Sequence, residues 1–308
     1  MAPGKSATAG SGPGAPPRAT RRRVRLARGP VTIGEPAPAI EPRLAGGEPY
    51  RPDTIADGGD AFGLTVRAAS VRGLHKRFVG GPRQDDLCLR RHGATATLIA
   101  AVADGVSGAS RSDLGAALAV RYATAAVARH LDVEGAARDL DWVNVFEQAA
   151  WALVSEERRT GDPEDTGSLA TTLLVGVVSV ADSAPVAVQI AAVGDSPAFR
   201  LHGRDYDPLV GEPVREDDLI GGGVQALPRD AGSVEVAACA LEPGDKLLLC
   251  TDGLALPLAG GQGDLGRAFA RELVTPPDVV DFARLLDFSR STYDDDRTLV
   301  AVWAPRAR

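Results

Sequence analysis

The sequence predicts an α+β protein whose antiparallel sheets carry helices on their outer faces, and three observations lead there. Strand-like apolar runs come in series instead of alternating one for one with helices. Two of them, 170–180 and 186–193, are separated only by the polar stretch Ala181-Asp182-Ser183-Ala184-Pro185, which is a hairpin connection and therefore an antiparallel pair. Helical periodicity is confined to two adjacent segments in the middle of the chain and one near its end.

Residues 1 to about 60 are rich in Ala, Pro, Gly and charge and keep no period. They are expected to be disordered to about residue 30 and extended to about 60. Order is expected from Phe62, with a first strand over 64–71, a loop containing Gly80-Gly81-Pro82, a short strand over 87–89 and a third over 97–103. Leu114, Ala117, Leu118, Tyr122, Ala125 and Ala126 then recur at helical spacing, predicting a helix over 112–131 capped by Ser110 or Ser112. A second helix, over 141–159, carries Trp142, Val145, Phe146, Ala149, Ala150 and Leu153 and should lie antiparallel to the first. Thr171 and Thr172 are placed inside the strand that follows, and Phe199-Arg200-Leu201 with a turn at Gly203 extends the hairpin. Residues 204–232, with Glu216-Asp217-Asp218 and Gly221-Gly222-Gly223, read as a loop or flap. Strands resume over 234–238 and 246–251. Thr275-Pro276-Pro277-Asp278 marks a helix start with Thr275 as cap, and the last strand covers 298–303. Trp142, Trp151 and Trp303 fall on apolar faces and are assigned to the core.

Composition narrows the function. With 308 residues, 44% hydrophobic and 24% charged, the chain has enough apolar material for a sizeable core. Cys88, Cys239 and Cys250 show no paired spacing, which argues against a disulfide framework and for a reducing, cytoplasmic setting. Residues 1–30 hold seven of the 34 basic residues and no acid, so the remainder sets 27 basic against 41 acidic residues, a net of −14. Such a body does not hold a nucleic-acid backbone by charge. The cluster Arg21-Arg22-Arg23-Val24-Arg25 reads as a solvated tail, the opening residues lack the apolar segment of an export signal, and no run approaches the roughly 20 residues of a membrane span.

The chemistry-bearing signal is acidic. Apolar runs end in Asp104-Gly105, Asp195-Ser196 and Asp252-Gly253; a fourth run begins after Asp294-Asp295-Asp296, and Asp85-Asp86 precedes the short second strand. A carboxylate at a strand end followed by glycine can hold a divalent cation while the glycine lets the backbone carbonyl approach the same ion. Hard cations such as magnesium or manganese want this all-oxygen set, whereas the scattered histidines and cysteines offer nothing to zinc.

Four segments carry a resemblance. Val102-Ala103-Asp104-Gly105, Val193-Gly194-Asp195-Ser196, Pro243 through Gly253 with its Thr251-Asp252-Gly253 end, and Asp295-Asp296-Arg297-Thr298-Leu299-Val300 resemble, in order and spacing, the signature blocks of the metal-dependent protein phosphatases of type 2C. Gly73-Leu74-His75, Arg83-Gln84-Asp85 and Ser112-Asp113-Leu114-Gly115-Ala116 resemble a bacterial branch of that family. The resemblance implies a four-layer α-β-β-α sandwich over residues 61–308 and hydrolysis of phosphoserine and phosphothreonine by water activated at a two-metal centre. It implies that Asp104 bridges two manganese or magnesium ions, that Gly105 offers its carbonyl, and that Asp252 and Asp295 hold the first ion. Asp85 acts through a water, with Asp86 as the alternative if the register slips by one. Asp195 matches an acid that can serve a third ion, although Leu256 stands where that ion's other acid belongs. Gly81 replaces an arginine that holds the substrate phosphate in many relatives, so Arg83 or Arg72 is the substitute; Val106 replaces a histidine that acts as general acid in some, leaving His75 as the nearest histidine. The expected partner is a phosphoprotein, without nucleic acid or a membrane span, and a monomer is favoured. A phosphatase-fold module that binds a partner with little or no turnover is the alternative.

Overall fold

The computed structural model describes residues 31–46, 50–160, 167–181, 185–211 and 224–305, with Met1. A short strand β1 (Val31–Thr32) precedes a hairpin of β2 (Thr54–Ala61) and β3 (Leu64–Val71). Helix α1 (Leu74–Val79), ended by Gly80 at φ 80°, leads to β4 (Asp86–His92) and β5 (Thr97–Ala103). Helices α2 (Ser112–Glu134) and α3 (Trp142–Thr160) follow, then β6 (Leu173–Ser179), β7 (Val186–Val193), β8 (Ala198–His202), β9 (Asp205–Val210), β10 (Glu235–Leu241) and β11 (Lys246–Cys250). The chain closes with α4 (Asp252–Leu258), a 3-10 turn at Ala259–Gly261, α5 (Asp264–Glu272), α6 (Val279–Leu286), β12 (Phe288–Ser289) and β13 (Arg297–Trp303).

Strands β10-β7-β6-β5-β4 form one sheet and β2-β3-β13-β11-β8-β9 another, while β1 pairs with β12. Within each of the two large sheets every neighbour is antiparallel. The period of two along β5 sets the layers. Ile99, Ala101 and Ala103 pack under α2 and α3, whereas Leu98, Ala100 and Val102 meet Leu247, Leu249, Val300 and Val302 of the facing sheet. On β11 the other face, Leu248 and Cys250, lies under α4, α5 and α6. Both central strands are therefore continuous apolar runs covered on two sides, and the architecture is the expected α-β-β-α sandwich of stacked antiparallel sheets. Each buried Leu or Val contributes about 1.5–3 kcal/mol to holding the layers. Gly115 sets the α2 spacing, since a Cβ there would stand 2.1 Å from the Leu169 carbonyl oxygen.

Several expectations are corrected. Strand β2 lies in the stretch read as extended chain; only its last residue, Ala61, is buried, and pairing with β3 holds it where no alternating pattern exists to be read. Helices α1, α4 and α5, each of no more than nine residues, are not among the predicted helices; short α6 was read because a Thr-Pro-Pro-Asp start marks it. Strand β9 occupies 205–210 of the expected loop; residues 212–223, including the acidic run and the triple glycine, lie outside the described residues, as does the basic cluster at 21–25. The N-cap of α2 is Arg111 and not Ser110 or Ser112, and Asp278, not Thr275, precedes α6. Thr171 and Thr172 stand just before β6, not within it. Trp142 and Trp303 are buried, but Trp151 is 66% exposed on the outer side of α3. The three cysteines are free, and among the described residues no helix is long and apolar enough to cross a membrane.

Candidate metal centre

The acids meet because of strand direction. β4 and β5 are antiparallel with Asp86 opposite Ala103, so the start of one and the end of the other put Asp85 and Asp104 at the same edge. β11 and β13 are antiparallel with Cys250 opposite Leu299, which does the same for Asp252 and Asp295 in the second sheet. Asp195 arrives at that edge from the end of β7. The backbone of Asp104 is fixed on both sides: its N–H donates to Thr172 Oγ1 (3.1 Å), and its carbonyl accepts from Thr172 N (2.8 Å) and Thr171 Oγ1 (2.8 Å). Gly105 has to be glycine, because a Cβ would lie 2.7 Å from Ser112 Cβ and 2.9 Å from the Gln84 carbonyl oxygen. Gly253 is equally constrained, a Cβ there falling 2.0 Å from the Asp296 carbonyl oxygen.

Asp85 is 2% exposed. Its Oδ2 accepts from Thr251 Oγ1 (2.7 Å) and lies 2.7 Å from Thr298 Oγ1, while its Oδ1 is buried without a partner. Burial and then the charge of Asp296 hold its pKa well above the usual carboxylate range, against the pull of the two hydroxyls. Asp104 is raised in the same way by burial, by the charges of Asp85 and Asp252, and by a hydrogen bond shared with Asp252. Burial and Asp252 push Asp195 up to about 6. Asp295, on the exposed rim but walled by protein on its inner side, is raised by that enclosure and by Asp296, with Lys76 opposing.

This donor set fits a hard divalent cation: it is all oxygen, it includes an orphaned buried carboxylate oxygen, and burial with neighbouring acid charge raises the pKa values of Asp85 and Asp104. As they stand, no three His, Cys, Asp or Glu side chains among the described residues are disposed to hold an ion. Asp85 is met by the hydroxyls of Thr251 and Thr298, and the charge of Asp252 bears on Asp104.

Of the register alternatives, Asp85 joins the cluster. Asp86 does not: its Oδ2 pairs with Arg51 Nη1 at 2.8 Å and its Oδ1 accepts from Leu87 N at 2.8 Å. Arg83 is withdrawn from the phosphate-holding role, being 1% exposed with Nη1 donating to the Asp85 carbonyl at 2.7 Å. Arg72, 4% exposed, is committed to Asp53 and to the carbonyls of Gly81 and Arg43. His75 is exposed, and its backbone N–H donates to the Asp294 carbonyl (3.0 Å). Sequence reasoning gave no role to Asp296, which is 2% exposed and accepts from Gly73 N (2.7 Å) and Gln84 N (2.6 Å), nor to Thr251, Thr298 and Lys76. The only sequence signal for Asp296 was its place in a run of three acids.

The family model for Protein phosphatase 2C matches residues 72–299. The chain belongs to the protein phosphatase 2C family. The matched span holds every acid of the cluster and leaves out β1, β2 and β3. Among solved 2C phosphatases, the PP2C domain of SpoIIE from Bacillus subtilis, with a fragment of its regulatory domain, superposes at TM-score 0.52 and 15% identity over 80% of this chain. This chain spans 64% of that one, under two thirds of its length. A serine/threonine phosphatase of S. agalactiae gives TM-score 0.52 and 14% identity over 78% of this chain and 99% of that one. The catalytic domain of PstP, a serine/threonine protein phosphatase solved with two manganese ions, gives TM-score 0.52 and 20% identity over 79% and 98%. At these identities the likeness is one of fold. Comparison with curated proteins finds no significant match.

Proposed function

We propose that this chain is an active protein serine/threonine phosphatase that works with two manganese or magnesium ions in the cytoplasm, on phosphoserine and phosphothreonine of a protein substrate, through the expected domain of residues 61–308 extended back to take in β2. One observation carries the reading: Asp85, Asp104, Asp252 and Asp295, from the ends of four strands in two sheets, are drawn together, and burial with neighbouring acid charge raises the pKa values of Asp85, Asp104 and Asp295. In this reading Asp104, the Gly105 carbonyl, Asp252 and Asp295 would hold the ions, with Asp104 serving both and Asp252 and Asp295 the first, Asp85 would act through a water, and Asp195 would be available to a third. When bound, the ions supply a water activated for attack on phosphorus and offset the phosphoryl charge. The chain's own part is orientation. Thr251 and Thr298 fix Asp85, and Thr171 and Thr172 fix the backbone of Asp104, as outer partners fix ligands in metal sites generally. The PstP domain with its two manganese ions lends support by analogy of fold.

The test is phosphate release from p-nitrophenyl phosphate and from a phosphothreonine peptide by the full chain with manganese. Turnover is expected, with a loss of more than a hundredfold in Asp252→Ala, beyond the roughly 10–100-fold that outer partners cost. No release by the wild type, or an unchanged rate in the variant, refutes the reading. A second reading, a phosphatase-fold binding module, is favoured by the withdrawn Arg83 and by the absence, among the described residues, of three acids already disposed around an ion. Manganese binding by calorimetry without turnover selects it.

A further inference from the structure

A phosphate monoester brings negative charge to a site that is itself acidic, so a protein cation not already neutralised should face it. The arginines beside the cluster are spent. Arg51 pairs with Asp86 and Asp113, Arg72 with Asp53, and Arg77 with Asp53 and Asp287. Arg83 and Arg297 are 1% and 2% exposed and bonded to backbone carbonyls. Lys76 differs on each count: it is part-exposed, and among the described residues it makes no ion pair with a carboxylate.

Its placement is fixed from both ends. Helix α1 is docked on the acidic loop by Gly73 N to Asp296 Oδ1 (2.7 Å) and by His75 N to the Asp294 carbonyl (3.0 Å). The Lys76 carbonyl accepts from both Gly80 N (2.9 Å) and Gly81 N (3.0 Å) at the left-handed helix end, so its backbone has little freedom. The stem passes beside Gly81, where a Cβ would stand 3.6 Å from Lys76 Cδ, and the ammonium donates to Gln84 Oε1. Its charge is felt at both Asp295 and Asp296. The ammonium therefore stands at the border of the acid cluster with one neutral partner that an incoming oxyanion can displace.

We infer that Lys76 is the cation that holds the substrate phosphate, reaching from α1 over Gly81 to the phosphoryl oxygens. This rests on the phosphatase reading above. The test uses the manganese-loaded full chain and Lys76→Met, which keeps the stem and removes the charge, with Lys76→Gln as a second variant should the first not fold. A rise in KM of about tenfold with little change in kcat is expected, on the scale of one charge-assisted contact at a part-exposed site, together with inhibition by inorganic phosphate weakened about tenfold. Lys76→Arg should restore most of both. Calorimetry of inorganic phosphate binding should show the same loss at unchanged manganese affinity, and it decides without turnover. An unchanged KM and phosphate affinity in a folded Lys76→Met overturns the assignment while leaving the phosphatase reading intact if Asp252→Ala is dead. A wild type without turnover sinks the phosphatase reading, and phosphate binding alone then decides on Lys76. If Gln84→Ala reproduces the full KM rise, Lys76 acts by holding Gln84, and the assignment is overturned.

Discussion

The inner and outer halves of the acid cluster are made of the same residue type and are held in opposite ways. Asp85 and Asp296, each 2% exposed, form the inner half and are met by donors: hydroxyls of Thr251 and Thr298 for one, the amides of Gly73 and Gln84 for the other. Asp104, Asp252 and Asp195 form the outer half, only partly buried, where Asp85 and Asp252 raise Asp104 and Asp252 raises Asp195. The division runs between consecutive residues, since Asp295 at the rim belongs to the outer half and Asp296 to the inner. An acid surrounded by N–H and O–H groups is structure, tying loops to strands. An acid surrounded by acids is an unmet demand for positive charge.

The comparison breaks if the two halves respond alike. Asp296→Ala leaves two backbone N–H groups without their acceptor, at about 1–3 kcal/mol each, so urea unfolding of the metal-free protein should show a loss of about 2–6 kcal/mol. Asp195→Asn, in the outer half, should leave that stability unchanged or raise it at pH 8, because it removes a repelled charge. Equal losses in the two variants would end the distinction.

Thr298→Val sharpens it on the functional side. The substitution keeps the shape and removes one of the two hydroxyls on Asp85, and the manganese needed for half-maximal activity should rise about 10–100-fold. A normal manganese requirement would show that Thr298 does not orient Asp85.

The smallest effect is thermal. Asp195 titrates at about 6 in the folded chain against 3.8 unfolded, and Asp85 and Asp104 are also raised. Above about pH 4 the folded state binds more protons than the unfolded one, so metal-free stability falls as pH rises through about 6 and beyond. A melting temperature lower by some degrees at pH 7.5 than at pH 5 is expected, and manganese should restore more at the higher pH. A melting temperature that climbs over this range would contradict the crowding of the outer acids.

The outer half was legible in the sequence, because Asp104-Gly105 and Asp252-Gly253 follow apolar runs whose length and composition mark buried strands. Of the inner half Asp85 was legible too, but Asp296 was not, since what makes it structural is a pair of backbone amides contributed by distant loops, and an amide leaves no mark in a sequence. Arg83 misled for a similar reason. An arginine beside acids reads as a ligand for phosphate, and its burial rests on the carbonyl two residues on and on packing against a segment expected to be extended chain. Trp151 shows the limit of periodicity: it follows the buried Ala149 and Ala150, and one further step of about 100° carries it off the apolar face.

The four strand ends that carry Asp85, Asp104, Asp252 and Asp295 come half from one sheet and half from the other, and this fixes when in folding the cluster can exist. A chain that has paired β4 with β5 but has not stacked the second sheet owns Asp85 and Asp104 without Asp252 and Asp295. Pairings between segments so distant in sequence form late, after their loop-closure entropy has been met. A cation therefore finds only half a set of ligands until the sandwich has closed, and cannot template the fold from an early stage. Its uptake in refolding should report the last event and not the first.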